Sequence, residues 1–424
     1  MQEDFLQYIW KNKLFRSENL IAITGEKIEI LNIGELNTNS GPDFFNSKIK
    51  IDDKIWAGNV EIHVNSSDWD KHNHSKDKNY DNVILHVVYK HDKDIFRSNS
   101  EKITTLKLDF DEHLFDKFLE ISEKNQSIPC SSHLHLIDSF TLNNWATRLV
   151  VERIESKSEL INELLQKHKN NWEEIFYQSI AKSFGFKINS FGFEQLTNSL
   201  ELKILAKHKN DLHQIEALLF GQAGLLEGNF DDEYFVKLKS EYSFLKQKYN
   251  LKPIAKEYWK FMRTRPANFP TLRISQFANL IFKSSKLFSK ILEAKSVAEM
   301  EAFFDVSASE YWENHFIFGK KSSNSFTSLG KNSIELILIN TVIPILFLYA
   351  QSKDDEDLKQ KSIDFLMSIS AEQNKITKDW KKAGVEIKNA FFSQAYIQLS
   401  NEYCNFKKCL HCQIGNKIIK NGNI

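Results

Sequence analysis

Ser40-Gly41-Pro42-Asp43-Phe44, followed by Gly58-Asn59-Val60-Glu61-Ile62-His63, is the stretch from which the first domain can be read. Alternate residues of a strand share a face. Glu61 and His63 therefore point one way, while Val60, Ile62 and Val64 point into a core. Asp43, directly after Pro42, opens the preceding strand. If these strands are neighbours, Asp43 and Glu61 come close enough to share a divalent cation. Mg²⁺ or Mn²⁺ suits such a pair, because a hard cation takes carboxylate oxygens and keeps waters and phosphate oxygens as its other ligands. The ion polarises a phosphodiester and lowers the pKa of a bound water. Neutral His63 can orient or deprotonate that water, or itself ligate a softer metal such as Mn²⁺ or Zn²⁺. Glu35, after the preceding strand-like segment, is a further acidic ligand in this reading. The bland alternative is a Pro42-Asp43 turn with Glu61 and His63 on a solvated strand face.

Working outward, Phe5 to Phe15 carries apolar residues at helical spacing. Strand-like segments follow at 27–33, 44–51, 54–64, 83–89 and 104–109, then a helix at 112–124. Val83-Ile-Leu-His-Val-Val-Tyr89 is apolar enough for a sheet buried on both faces, and His86 within it reads as a satisfied core histidine. The expected fold is mixed α/β (α+β): an N-terminal sheet flanked by helices over 1–126, then a linker at 127–137. A larger all-helical domain over 138–400 and a cysteine-bearing tail at 401–424 follow.

Composition narrows the class less than the pattern does. Lys+Arg and Asp+Glu both total 56, so net charge selects no partner. The opening Met-Gln-Glu-Asp-Phe lacks the basic-then-apolar layout of a secretory signal. The longest apolar run, Leu336 to Ala350, contains Asn340 and Pro344 and falls short of the roughly 20 residues a membrane span needs. It reads as a buried, kinked helix, so the chain is expected to be soluble and cytoplasmic, with no membrane partner.

Three further constellations carry chemistry. Between the strands, Asp68-Trp-Asp-Lys-His72-Asn-His74 offers metal-capable groups, but on a regular helix His72 and His74 face different ways. A solvated helix is the favoured reading there, with Trp69, His74 and Tyr80 as substrate contacts. From Lys246 to Lys290 there are eight Lys and three Arg against one acid, Glu257. Arg263, Arg265 and Arg273 surround two prolines, and guanidiniums beside aromatic residues suit a nucleic-acid backbone. Their pairing with carboxylates of other helices is the alternative. Finally, Cys404-x4-Cys409-x2-Cys412 can wrap Zn²⁺ or an iron–sulfur cluster. Cys130 would supply the fourth thiolate and staple the tail to the linker, with His411 and His133 as substitutes.

The first domain resembles the PD-(D/E)XK nuclease superfamily in motif and in helix–strand–strand–strand–helix–strand order. The resemblance implies a restriction-endonuclease-like sheet with Asp43 as the family aspartate, Glu61 as the second acid and His63 at the lysine position. Histidine there is a departure, and Lys48 or Lys50 is placed to supply the missing cation. The chain as a whole resembles an uncharacterised bacterial family, domain of unknown function 2851. That likeness is carried by the two stretches quoted above and by Ser67-Asp-Trp69, Val83–Val87, Phe220–Gly228, Arg265–Pro270 and Cys404–Gly415. The function expected from these residues is a metal-dependent, nuclease-like phosphodiesterase acting on nucleic acid. The alternatives are a catalytically inactive nucleic-acid-binding or scaffold protein on a degenerate nuclease fold, and a structural zinc protein with protein partners.

Overall fold

The structure is a computed structural model and describes residues 1–262, 264–322 and 327–420, apart from the side chains of 159 and 160. It divides into two compact units, one comprising Met1–Leu142 with Ser400–Ile424, the other Asn143–Leu399.

The first unit is a mixed sheet. Helix α1 (Glu3–Lys11) buries Phe5, Leu6, Tyr8, Ile9 and Trp10, and its acidic first turn, Glu3 and Asp4, opposes the positive end of the helix dipole. Strands β1 (Leu20–Ile21), β2 (Lys27–Asn32), β3 (Glu35–Leu36), β4 (Phe44–Ile51), β5 (Lys54–Asn65), β6 (Val83–Lys90) and β7 (Thr105–Lys107) follow. Their order is β1-β2-β4-β5-β6-β7, with β3 also on β4. β2, β4 and β5 form an antiparallel meander, whereas β6 lies parallel to both β5 and β7. The parallel step requires a crossover, supplied by the one-turn helix α2 (Asp68–Lys71) and two 3₁₀ turns, His74–Lys76 and Lys78–Tyr80. Val83 through Val88 are all buried, as an apolar run covered on both faces should be. Helix α3 (His113–Ser122) closes this segment.

Two local features set the site. A register shift between Phe44 and Ser47, with Asn46 at φ 58°, bulges β4 just after Asp43. At Gly58, an added Cβ would lie 2.5 Å from Ile84 Cγ2 and 2.6 Å from the Asn82 carbonyl, so only glycine lets β5 approach the start of β6.

Residues 127–137, expected as a linker, include the 3₁₀ segment Ser131–Leu136 and belong to the sheet unit. The cysteine-bearing tail belongs there too: its helix Gln413–Lys420 packs against α3, and Lys420 Nζ donates to Asn12 Oδ1 at 2.9 Å.

The second unit is helical, with one small hairpin of His315–Ile317 and Lys320–Lys321 that the all-helical expectation lacked. Around the two prolines of the arginine-bearing segment, the regular helix is Pro270–Lys283. Pro266 opens a 3₁₀ turn and Pro270 takes the first helical turn, where a missing N–H costs nothing. The run 331–352 is one nearly continuous rod with a π turn at Leu338–Val342 immediately before Pro344. The extra residue in that turn accommodates the proline inside a helix. By length and composition, Lys331–Ser352 could cross a membrane, but most of it is buried inside its own unit.

Gly58→Ala is expected to destabilise the protein by about 1–3 kcal/mol, the usual cost of forcing a methyl group into packed backbone. Urea unfolding should show the loss, and an unchanged midpoint would refute the close-approach argument.

Candidate metal centre

Asp43 and Glu61 meet through the backbone. The Asp43 N–H donates to Glu61 Oε2 at 3.0 Å, and the Ile62 N–H donates to Asp43 Oδ2 at 2.9 Å. This reciprocal clamp joins the start of β4 to the end of β5. Gln7 of α1 donates to Asp43 Oδ1 at 2.8 Å. Among the described residues, no lysine or arginine pairs with either carboxylate. Burial, followed by the neighbouring Glu61, pushes the Asp43 carboxyl up to about 8. Burial likewise pushes Glu61 up to about 8, and the Glu3 charge adds to it.

The third acid is Glu3, not Glu35. Glu35 is exposed on β3 opposite Phe45. Glu3, on the first turn of α1, is raised to about 7 by burial and then by Asp43, and it also interacts with His72 and His74. Glu3 and Gln7 stand one turn apart on α1, a polar i,i+4 pair beside an apolar face. That spacing was the available sequence signal for both. Lys48 and Lys50 lie opposite Ala57 and Ile55, toward the far end of β4, and Lys50 pairs with Glu29. Neither replaces a cation beside Asp43.

The histidines converge. His63 Nε2 lies 3.1 Å from His72 Nδ1 and 3.6 Å from Glu61 Oε1, and His74 Nε2 lies 3.3 Å from the same oxygen. The ligand atoms of His63, His72 and His74 are all within 4.8 Å of one another. The expectation that His72 and His74 diverge assumed a regular helix. α2 instead ends at Lys71, and Asn73 turns the chain through a left-handed conformation (φ 61°), so both imidazoles face His63. Asparagine tolerates that conformation better than most residues. A tetrahedral site with metal–ligand bonds of about 2.0–2.1 Å has ligand atoms roughly 3.3 Å apart, close to the separations here. His74 Nε2 is also buried without a hydrogen-bond partner.

His86 is fully buried, and its Nε2 lies 2.8 Å from His63 Nδ1. With the shared proton on His63 Nδ1, His63 Nε2 presents a lone pair to the cluster. Burial, with His74 and His72 adding to it, holds His63 down at about 3. Burial also lowers His74, and His86 lies well below its ordinary range for the same reason. His63 and His74 are therefore held toward the neutral form, the one that ligates metals.

Residues 3–375 match the family described as Protein of unknown function (DUF2851). The chain belongs to this family. No curated protein and no solved structure matches it. The DUF2851 match takes in every residue of the acid–histidine cluster and stops short of Cys404, Cys409 and Cys412.

Other expected contacts are placed differently in this DUF2851 chain. Trp69 is fully buried with Val83, Ile95 and Ile103, and its Nε1 donates to the Phe96 carbonyl, so it is core and cannot touch a substrate. Tyr80 is nearly buried and stacks on His74 with centroids 3.7 Å apart, bracing that ring. Arg273 is buried, donates to Gln276 and Asn268, and lies over the Phe186 ring, so it is unavailable to nucleic acid. Arg265 is exposed, and Arg263 lies outside the described residues.

The raised carboxyls fix a pH dependence. A group whose pKa rises on folding favours the fold fully below its unfolded value of about 4, and the advantage is lost as pH climbs through its folded value. Chelator-treated protein should therefore melt at progressively lower temperature as pH rises through about 8. His63 acts oppositely, but only as pH falls below its ordinary value toward about 3. In the Asp43→Asn, Glu61→Gln double variant the decline should flatten. Parallel melting curves for variant and wild type would show that these carboxyls do not set it.

Proposed function

We propose that this protein is a metal-dependent phosphodiesterase of the PD-(D/E)XK nuclease type, acting on nucleic acid. The observation that carries the reading is the buried Asp43–Glu61 pair, which has no lysine or arginine partner among the described residues and adjoins ring nitrogens at ligand spacing. Two carboxylates in low dielectric need protons or a cation to offset their charge. The order of α1, the β2-β4-β5 meander and the crossover to parallel β6 supports the likeness to the nuclease superfamily.

In this reading Glu61, His63, His72 and His74 hold the ion, while Asp43 and Glu3 flank it. Imidazole ligands favour Mn²⁺ or Zn²⁺ over Mg²⁺, which prefers oxygen. The ion supplies Lewis acidity toward a phosphate oxygen and a water of lowered pKa. Asp43 and Glu3, beside the site, would be the groups to accept a proton from an attacking water once the cation offsets their charge. His63 serves as a ligand, oriented through its Nδ1 by His86. A second reading, a non-catalytic nucleic-acid-binding or scaffold protein on a degenerate nuclease fold, draws on the complete enclosure of His63 where the superfamily has lysine.

Purified protein is expected to cleave single- or double-stranded DNA or RNA with Mn²⁺ or Zn²⁺. Asp43→Asn and Glu61→Gln should each reduce cleavage by at least about 100-fold, and Glu3→Gln by about 10–100-fold. Equal cleavage by wild type and Asp43→Asn would assign the activity to a contaminant. Nucleic-acid binding without cleavage under any of Mg²⁺, Mn²⁺ or Zn²⁺ would leave the second reading standing.

A further inference from the structure

Cys130 is separated in sequence from Cys404, Cys409 and Cys412 by the whole helical unit. In the fold all four belong to the sheet unit and line one small cavity, together with Lys408 and Gly415. None is in a disulfide. Cys130, Cys409 and Cys412 are buried, and Cys404 is partly so.

The local chain is shaped to bring them in. Helix Ala390–Gln398 runs into a π turn, Leu399–Cys404, which ends on the first tail cysteine. Lys407 then turns through a left-handed conformation (φ 53°) into the 3₁₀ segment Cys409–His411, and Cys412 precedes helix Gln413–Lys420. At Gly415 an added Cβ would sit 2.3 Å from the Cys409 carbonyl, so glycine is required for the helix to lie against that turn. Cys409 and Cys412 are thereby held together over the cavity that Cys130 enters from the other segment.

We infer that these four cysteines form a tetrathiolate centre for a thiophilic metal, pinning the C-terminal segment to the sheet unit. As a reactive site the cluster is poor. Three of the four thiols are buried, and a buried structural cysteine is a poor nucleophile. The four cysteines that line the cavity match the number of ligands an all-thiolate centre takes. A dication M²⁺ displaces four thiol protons and leaves M(SR)₄²⁻, the all-cysteine set that zinc takes. An iron–sulfur cluster takes the same four thiolates and brings iron and sulfide with it. The residual negative charge has cations at hand: Lys408 lines the cavity, Lys407 acts on Cys409 and Lys124 on Cys130. This centre is independent of the acid–histidine cluster in ligands and in chemistry.

Full-length protein purified without chelator tests the inference by metal analysis and thiol titration. Expected is one zinc released as four thiols react with p-hydroxymercuribenzoate, or iron with acid-labile sulfide and a visible charge-transfer band. Cys409→Ser should lower that metal by about tenfold or more, whereas His72→Ala should leave it in place. Hydrogen exchange over 404–420 should rise once the wild-type protein is stripped. Because titration uses wild-type protein, misfolding of the serine variant does not decide the matter. Complete reaction of the thiols with no metal released, or a metal content that follows His72 alone, overturns the inference.

Discussion

Two carboxylates held side by side, enclosed and without a lysine or arginine partner among the described residues, are the constraint around which the site in the sheet unit is organised. The clamp between Asp43 and Glu61 uses backbone N–H donors, so it orients the oxygens without neutralising them. Hydrogen bonds to a carboxylate favour its charged form, yet burial wins here and both groups are displaced toward neutrality. A protein that only needed to join β4 to β5 could do so with ordinary ladder bonds. Retaining two acids there imposes an electrostatic cost that a bound cation would reverse. The same ion would give His74 Nε2 the partner it otherwise lacks.

Most of the sheet was legible because strand alternation and apolar runs are local signals. β4 falls at 44–51 as expected, and β5 and β6 differ from expectation by a residue at one end. Neighbouring strands bring Asp43 to Glu61, and that adjacency follows from the short 52–53 turn between them. The remaining members of the cluster were hidden for identifiable reasons. Glu3 reaches it through packing of α1 on the sheet; its i,i+4 spacing from Gln7 marks a polar helix edge but not the strand that edge meets. His72 and His74 converge because a single left-handed asparagine interrupts what reads as a helix. Trp69 and Arg273 misled in the opposite direction: both residue types suit nucleic acid, and here both are consumed by the interior.

His63 sits between the carboxylates and the other imidazoles, 3.6 Å from Glu61 Oε1 and 3.1 Å from His72 Nδ1. A lysine at its position would place a fixed positive charge beside Glu61, and a carboxylate paired in that way has less need of a metal. A neutral histidine carries no such charge and can offer Nε2 to an ion, while its Nδ1 lies against His86. In the proposed reading, histidine in place of lysine would change the electrostatics and the coordination together, toward an ion that accepts nitrogen. Convergence of two more imidazoles on the same ring is what such an exchange would require.

The cysteine cavity applies the same logic with softer donors. Oxygen and imidazole suit Mn²⁺ or Zn²⁺ in a place that a water and a phosphate must reach, and His72 is exposed at the rim of that cluster. Sulfur in a closed pocket suits an ion that is never exchanged with substrate. Zinc chemistry separates these roles by whether a coordination position stays open. With four protein ligands, an open position at the acid–histidine cluster requires an ion that takes five or six ligands, as Mn²⁺ can, whereas four thiolates close the tetrahedral cysteine site. Two ions on one sheet unit would thus divide chemistry from structure, and the ligand types already sort them.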